Sequence, residues 1–125
     1  VRADDGLDPG LGERFAHAMD RARSGGAEKY RQKLAEQGKL FVRERLRLLL
    51  DDAGSFAEEG LLVSARAGDL PADGVVTGVG TVGGRPVALM ANDPTVKAGS
   101  WGPKTVEKII RILERALSLR VPMVF

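Results

Sequence analysis

The 125-residue chain contains no cysteine, and that absence removes disulfide bonds, thiolate nucleophiles and thiolate metal sites from within it. A single histidine, His17, makes a multi-histidine zinc centre impossible, so a metal would need oxygen ligands or another chain. His17 sits beside Phe15 and Met19, which share a helical face. Packing or solvation accounts for it there, and no Ser-His-Asp or Cys-His arrangement can be assembled around it. No apolar run reaches the roughly eighteen residues of a membrane-spanning helix, and no signal-peptide pattern opens the sequence. The cytoplasm is the expected location. Aromatic residues make up only 5%, and nineteen Lys and Arg stand against seventeen Asp and Glu, for a net charge of +2. So slight an excess is poor support for a nucleic-acid partner. What is present is enough for a core, because 43% of the residues are hydrophobic.

Charge is arranged in blocks. Residues 1–19 carry a net −2, residues 20–47 a net +5, residues 48–73 a net −5 and residues 74–125 a net +4. Such blocks more often face solvent or another chain than a substrate. The Asp- and Gly-rich first dozen residues read as a loop or a frayed terminus. Leu11, Phe15, Met19 and Ala22 recur at helical spacing until Ser24-Gly25-Gly26 stops the run. A second helix is predicted over Ala27 to Gln37, with a thin apolar face of Tyr30 and Leu34. A third runs from about Leu40 to Leu50, with Val42, Leu46, Leu49 and Leu50 on one side.

After Phe56 the pattern turns β-rich. Leu61 to Ala65 predicts a short strand. Val75 to Val82 and Arg85 to Ala91 flank Gly83-Gly84, a strong hairpin signal, since a type I′ turn needs positive φ at both central positions. Gly78 and Gly80 inside the first strand suggest a bulge or the close approach of another backbone. Asn92 to Ser100 is a loop, Ser100 is the candidate cap of the next helix, and Pro103 suits its first turn. From Lys104 to Leu119 the sequence is amphipathic, with Val106, Ile109, Ile110, Leu113 and Leu117 as its apolar face. The last residues, Arg120 to Phe125, read as a strand that has only begun, returning parallel to the second hairpin strand. A C-terminal edge strand would account for it, and so would a sequence that is a piece of something longer.

Two segments are candidates for chemistry. Lys39, Arg43, Arg45 and Arg47 form a basic patch near the start of the third helix, suited either to solvation and subunit packing or to gripping phosphate groups. The loop Asn92 to Gly102 leads from a strand end to a helix N-terminus, where α/β folds often bind ligands. Its binding groups would be backbone N–H donors and Lys97, while Asp93 orients a ligand or caps the loop's own amides. Gly78-Val79-Gly80-Thr81-Val82-Gly83 is no dinucleotide fingerprint, because it lies within a hairpin.

These segments carry a family resemblance. Gly38-Lys39-Leu40-Phe41-Val42-Arg43-Glu44-Arg45-Leu46, with Leu48-Leu49-Leu50-Asp51 and Gly54-Ser55-Phe56, resembles the opening of biotin-dependent acyl-CoA carboxylase β subunits. Asp73-Gly74-Val75-Val76-Thr77-Gly78, Thr81 and Gly84-Arg85-Pro86-Val87 continue it in order. Asn92-Asp93-Pro94-Thr95-Val96-Lys97, Gly99-Ser100 and Glu107-Lys108-Ile109 complete it. The resemblance covers about residues 27–125 and is nearest the methylcrotonyl-type branch, with Ala98 and Trp101 departing from its commoner Gly and Tyr.

The resemblance implies an α/β, crotonase-like fold, incomplete here. Residues 1–56 would be a helical segment packing on the core or on a partner subunit. Residues 57–125 would begin the acyl-CoA carboxyltransferase domain as a strand-strand-helix-strand unit. It implies a carboxyltransferase, classed with the ligases and transferases, that moves a carboxyl group from carboxybiotin to a short or branched acyl-CoA. The biotin would ride on a biotin carboxylase/biotin carrier α subunit, and the β subunits would form a homo-oligomer. An enolate oxygen held by backbone N–H donors needs no titrating side chain. The family's oxyanion loop follows the strand that here reaches Phe125, so no catalytic residue is expected in this segment and the fragment alone would be inactive. Lys39, Arg43, Arg45, Lys97 and Ser100 are the candidates for acyl-CoA or interface contact, with no metal site. The competing reading is a small basic binding module without catalysis, working through residues 20–47, where only Tyr30 and Phe41 could stack on bases.

Overall fold

The computed structural model describes residues 10–67 and 69–125. Three helices come first: α1 (Leu11–Ser24), α2 (Glu28–Glu36) and α3 (Val42–Leu49). Then follow β1 (Ala57–Glu59), β2 (Val75–Val82), β3 (Arg85–Asn92), α4 (Pro103–Leu119) and β4 (Met123–Val124). Of the loop or frayed terminus expected over the first dozen residues, residues 1–9 lie outside the described part, and α1 already begins at Leu11. Among the described residues, no helix is long and apolar enough to cross a membrane.

The strands form one sheet in the order β1-β2-β3-β4. The β2–β3 hairpin is antiparallel with Val82 opposite Arg85, and Gly83 and Gly84 take φ of +58° and +75°, as its turn requires. Asp51 locks this turn: its carboxylate accepts from the N–H of Gly83 at 2.8 Å and of Gly84 at 2.7 Å. β4 pairs parallel to β3, with α4 as the connection, as the strand-helix-strand pattern predicts.

Alternation along the strands sends side chains to two cores. Val75, Ala88 and Met90 pack with Ile109, Ile112 and Ala116 of α4. Val76 and Leu89 pack on the other side with Val42 and Leu46 of α3 and with Leu50. The sheet is thus covered by α4 on one face and by α3 on the other.

Three expectations need correction, and one open alternative is decided. The strand predicted over Leu61 to Ala65 is a series of turns, with Ser64 at φ +61°, and the pairing strand is β1 at Ala57–Glu59 instead. Gly78 and Gly80 make no bulge, since the β2–β3 register is unbroken. The close approach is real at Gly78, where a Cβ would lie 2.5 Å from the Ala57 carbonyl oxygen. Ser100 does not cap α4: its hydroxyl donates to the Lys97 carbonyl at 2.7 Å, and Gly102 occupies the cap position. The positive φ of Lys97, Ala98 and Gly99 curls the chain into a turn before Ser100, which holds its hydroxyl on that turn. Finally, the sheet-facing side of α4 is Thr105, Lys108, Ile109, Ile112 and Ala116, so of the apolar stripe read from the sequence only Ile109 is buried.

Candidate ligand-binding site

The loop between β3 and α4 is built from its own polar groups. Asp93 is buried, its N–H donates to the Gly74 carbonyl at 2.9 Å, and its carboxylate accepts from the Thr95 N–H at 2.9 Å and from the Thr95 hydroxyl. That is the amide-capping role open to it from sequence. Thr95 Oγ1 also accepts from the Gly26 N–H at 2.9 Å, which fastens the α1–α2 connection to the loop. The contact is too close for any side chain at position 26, since a Cβ would stand 1.9 Å from the Thr95 carbonyl oxygen. Beyond Thr95, Lys97 and Ala98 hold left-handed backbone with φ of +47° and +54°.

This fastening forms one side of an open cavity of about 630 Å³. Arg21 from α1, Lys29 from α2 and Lys97 from the loop line it, together with Ser24, Tyr30 and Asp69. None of the three cations is ion-paired with a carboxylate among the described residues, and the Lys29 ammonium lies 4.9 Å from the centre of the Tyr30 ring. Three unpaired cations and nearby backbone amides can hold a phosphate-bearing anion by charge-assisted hydrogen bonds. They offer neither a nucleophile nor a general base.

The other expected residues separate. Lys39 lines a second groove of about 610 Å³ together with Lys33 and Lys97. Arg43 turns away to make a two-pronged ion pair with Glu58 of β1, both contacts at 2.9 Å, which clamps α3 to the sheet edge. Arg45 donates to the Asn92 carbonyl at 3.1 Å and lines a mostly apolar cavity of about 530 Å³ with Leu46, Leu49, Trp101, Val124 and Phe125. Arg47 pairs with Glu44 one turn back and holds that exposed carboxyl below its ordinary range. Ser100 is exposed and bonded within its turn. The basic patch seen in sequence is therefore divided among two ion pairs and two different cavities.

The carboxyl transferase domain family matches residues 33–125, well over half of the chain. The chain belongs to the carboxyl transferase domain family. It is 58% identical over 106 residues to the Bacillus subtilis uncharacterized carboxylase YngE, covering 85% of this chain and 20% of that protein. To the biotin-dependent 3-methylcrotonyl-coenzyme A carboxylase β1 subunit of Mycobacterium tuberculosis it is 41% identical over 103 residues, covering 81% and 20%. A transcarboxylase 12S crystal structure, a hexamer with methylmalonyl-coenzyme A bound, superposes with a TM-score of 0.82 at 38% identity over 91% of this chain and 24% of that one. This carboxyl transferase domain segment thus spans about a fifth of the length of the curated relatives it matches. Its fold is a part of the crotonase-like carboxyltransferase fold.

Sequence reasoning missed Arg21 and Lys29 as cavity residues of this carboxyl transferase segment. Ser24-Gly25-Gly26 was legible as a helix stop, but the demand for glycine at position 26 comes from a loop 69 residues away. It missed Lys108 as well. That side chain is buried in the middle of α4's inner face, and its ammonium donates to the carbonyls of Ala72 at 2.7 Å and Val75 at 2.5 Å. Burial pushes its pKa down from 10.5 to about 8, against the pull of Glu58 and Asp73. Held on two backbone carbonyls, Lys108 is a structural fastener rather than a reactive amine.

Proposed function

We propose that this segment supplies the acyl-CoA-holding wall of a carboxyltransferase that places a carboxyl group on the acyl chain of an acyl-CoA. The carboxyl group would come from carboxybiotin borne on a carrier subunit, with the homo-oligomer of the longer protein at work in the cytoplasm. The observation that carries the reading is the cluster of Arg21, Lys29 and Lys97 around one cavity in a chain of this family, none of them ion-paired with a carboxylate among the described residues. Their charge suits the phosphates of coenzyme A, and Arg45 with the apolar wall at Trp101 and Leu49 suits the less polar acyl end. These residues bind and orient. None is assigned to biotin, and none abstracts a proton, so the reacting groups belong to other parts of the longer protein.

The test is steady-state carboxylation of an acyl-CoA by the full-length protein with its biotin-bearing partner. Changing Lys97→Gln together with Arg21→Gln is expected to raise KM for the acyl-CoA by roughly tenfold or more, at little change in kcat, because uniform binding is lost. The same variant should bind free CoA correspondingly more weakly. An unchanged KM and CoA affinity would remove this cavity from the substrate path.

A further inference from the structure

Lysine is costly to bury, and Lys108 lies only 4% exposed between Thr105 and Ile109 on the face of α4 that meets the sheet. A methionine of similar length would fill that space without an ammonium to desolvate. What the lysine adds is a grip on one short stretch of backbone, since it donates to the carbonyls of Ala72 and Val75, on either side of Asp73 and Gly74. Ala72 and Asp73 hold positive φ, so this stretch is a strained turn that needs support from outside. The turn in its own right braces the cavity lined by Arg21, Lys29 and Lys97. Ser64 and Leu70 line that cavity, and both are tied to Asp73. The Ser64 hydroxyl donates to the Asp73 carboxylate at 2.8 Å, and the Asp73 N–H donates to the Leu70 carbonyl at 2.9 Å. On the other side, the Gly74 carbonyl accepts from the Asp93 N–H at 2.9 Å, at the root of the loop that bears Lys97. α1, which bears Arg21, packs on the same turn.

We propose that Lys108 is a positioning residue for the anion held in that cavity: by fixing the 72–75 turn it sets the spacing between Arg21 on α1 and Lys97 on the loop, and its positive charge sets how firmly. That the anion is an acyl-CoA rests on the proposed function; the contacts that join Lys108 to the cavity do not. Lys108 itself does not line the cavity, so it acts through the turn. Three charged groups face it. Glu58 of β1 and Asp73 of the turn favour its ammonium, and Arg43 of α3 opposes it. Burial outweighs the two carboxylates and brings the pKa to about 8. Charged, the side chain gives the turn two charge-assisted hydrogen bonds; neutral, it gives two ordinary ones of roughly half the strength. A ligand that is held best by the firmly braced turn therefore favours protonation of Lys108, and protonation favours the ligand by the same factor.

Acetyl-CoA, which has no free thiol to titrate, is the probe. Its affinity for the full-length protein is measured by calorimetry in wild type, in Lys108→Met and in the Arg21→Gln, Lys97→Gln double variant. Lys108→Met is expected to weaken binding by about fivefold or more at about pH 7, and to raise KM in carboxylation with kcat little changed. The gap between wild type and the Met variant should narrow to about twofold or less by about pH 9.5, as the wild-type amine loses its proton. Loss of the buried charge stabilises the folded chain over that range, so a fall in wild-type affinity there cannot come from unfolding. A Met variant that binds as wild type does, while the double variant binds weakly, would overturn the proposal and leave the cavity's role intact. A gap that stays constant with pH would overturn it too, because the charge would then play no part. Normal binding by both variants would remove the cavity from the substrate path, and this inference with it. Should the Met variant not fold, Lys108→Gln, neutral and able to donate to one of the two carbonyls, is expected to show the same loss and the same narrowing.

Discussion

The Thr105 hydroxyl donates to the Asp73 carboxylate at 2.6 Å and accepts from the Gly102 N–H at 3.0 Å, joining the first turn of α4 to the turn that launches β2. That turn is costly in itself, since Ala72 and Asp73 have φ of +51° and +52°, a region that L side chains seldom adopt. The other oxygen of Asp73 accepts from the Ser64 hydroxyl at 2.8 Å, so a buried carboxylate holds the turn through two hydroxyl donors from distant segments. Thr105→Val keeps the shape and removes one donor. It should destabilise the chain by about 1–3 kcal/mol, the cost of leaving a buried charged acceptor short of a partner. Thr105→Ser should recover most of the loss. Urea unfolding of the three proteins measures both, and a Val variant as stable as wild type would mean that the hydroxyl is dispensable.

Arg43 was a candidate for ligand contact, and its two-pronged pair with Glu58 makes it a clamp between α3 and the sheet edge. Lysine cannot reproduce the planar fork. Arg43→Lys should therefore cost about 1 kcal/mol of stability and Arg43→Ala about 2 kcal/mol, the partial burial of the pair placing it above an exposed one. CoA affinity in the full-length protein should stay within twofold of wild type for both. A tenfold loss of CoA affinity with unchanged stability would return Arg43 to the ligand site.

How far the fold was legible depended on whether a signal was local. The hairpin was, because Gly83-Gly84 between two β-rich runs states its own turn, and the parallel return of β4 followed from the length of α4. β1 was not. Ala57-Glu58-Glu59 has no strand-like composition, and it pairs because β2 offers an edge and because Arg43 and Arg115 engage its two glutamates. The inner face of α4 was hidden for a related reason. Its buried positions include Thr105 and Lys108, which are admitted to the core only because Asp73 and the carbonyls of Ala72 and Val75 wait there. Hydropathy instead marked the outward stripe. The site was half legible: Lys97 was visible from its loop, whereas Arg21 and Lys29 come to it from two helices whose connection is fastened to that loop by the contact of Gly26 with Thr95.

Lys108 predicts an alkaline gain in stability. With the folded pKa near 8 and the unfolded one near 10.5, both states are protonated below about pH 8 and the folded state carries the full cost of a buried ammonium. Between pH 8 and 10.5 the unfolded chain binds more protons than the folded one, so this residue's contribution to stability rises with pH and levels off above 10.5. At about 1.4 kcal/mol per pKa unit the rise is on the order of 3 kcal/mol. Lys108→Met removes the titrating group while keeping its stem. The difference between wild-type and Met-variant unfolding free energies should shift in favour of wild type from pH 8 to 10. A difference that is flat across that range would show that the ammonium is not burdened by burial.

Two glycines separate a conformational cost from a steric one. Gly83 has φ +58° and open space around a Cβ, so Gly83→Ala is penalised only by backbone conformation, about 1 kcal/mol. Gly26 does not hold positive φ, yet a Cβ there would fall 1.9 Å from the Thr95 carbonyl oxygen and 2.6 Å from its carbon. Neither atom is the movable end of a side chain, so one backbone segment must give way. Gly26→Ala should cost more than Gly83→Ala, about 3 kcal/mol, at the upper end of overpacking effects. It should also weaken CoA binding by the full-length protein, because the displaced loop carries Lys97 away from Arg21 and Lys29. Gly83→Ala should leave that affinity unchanged. Urea midpoints and CoA titration of the two variants give the comparison, and equal effects on affinity would break the link between the Gly26–Thr95 contact and the cavity.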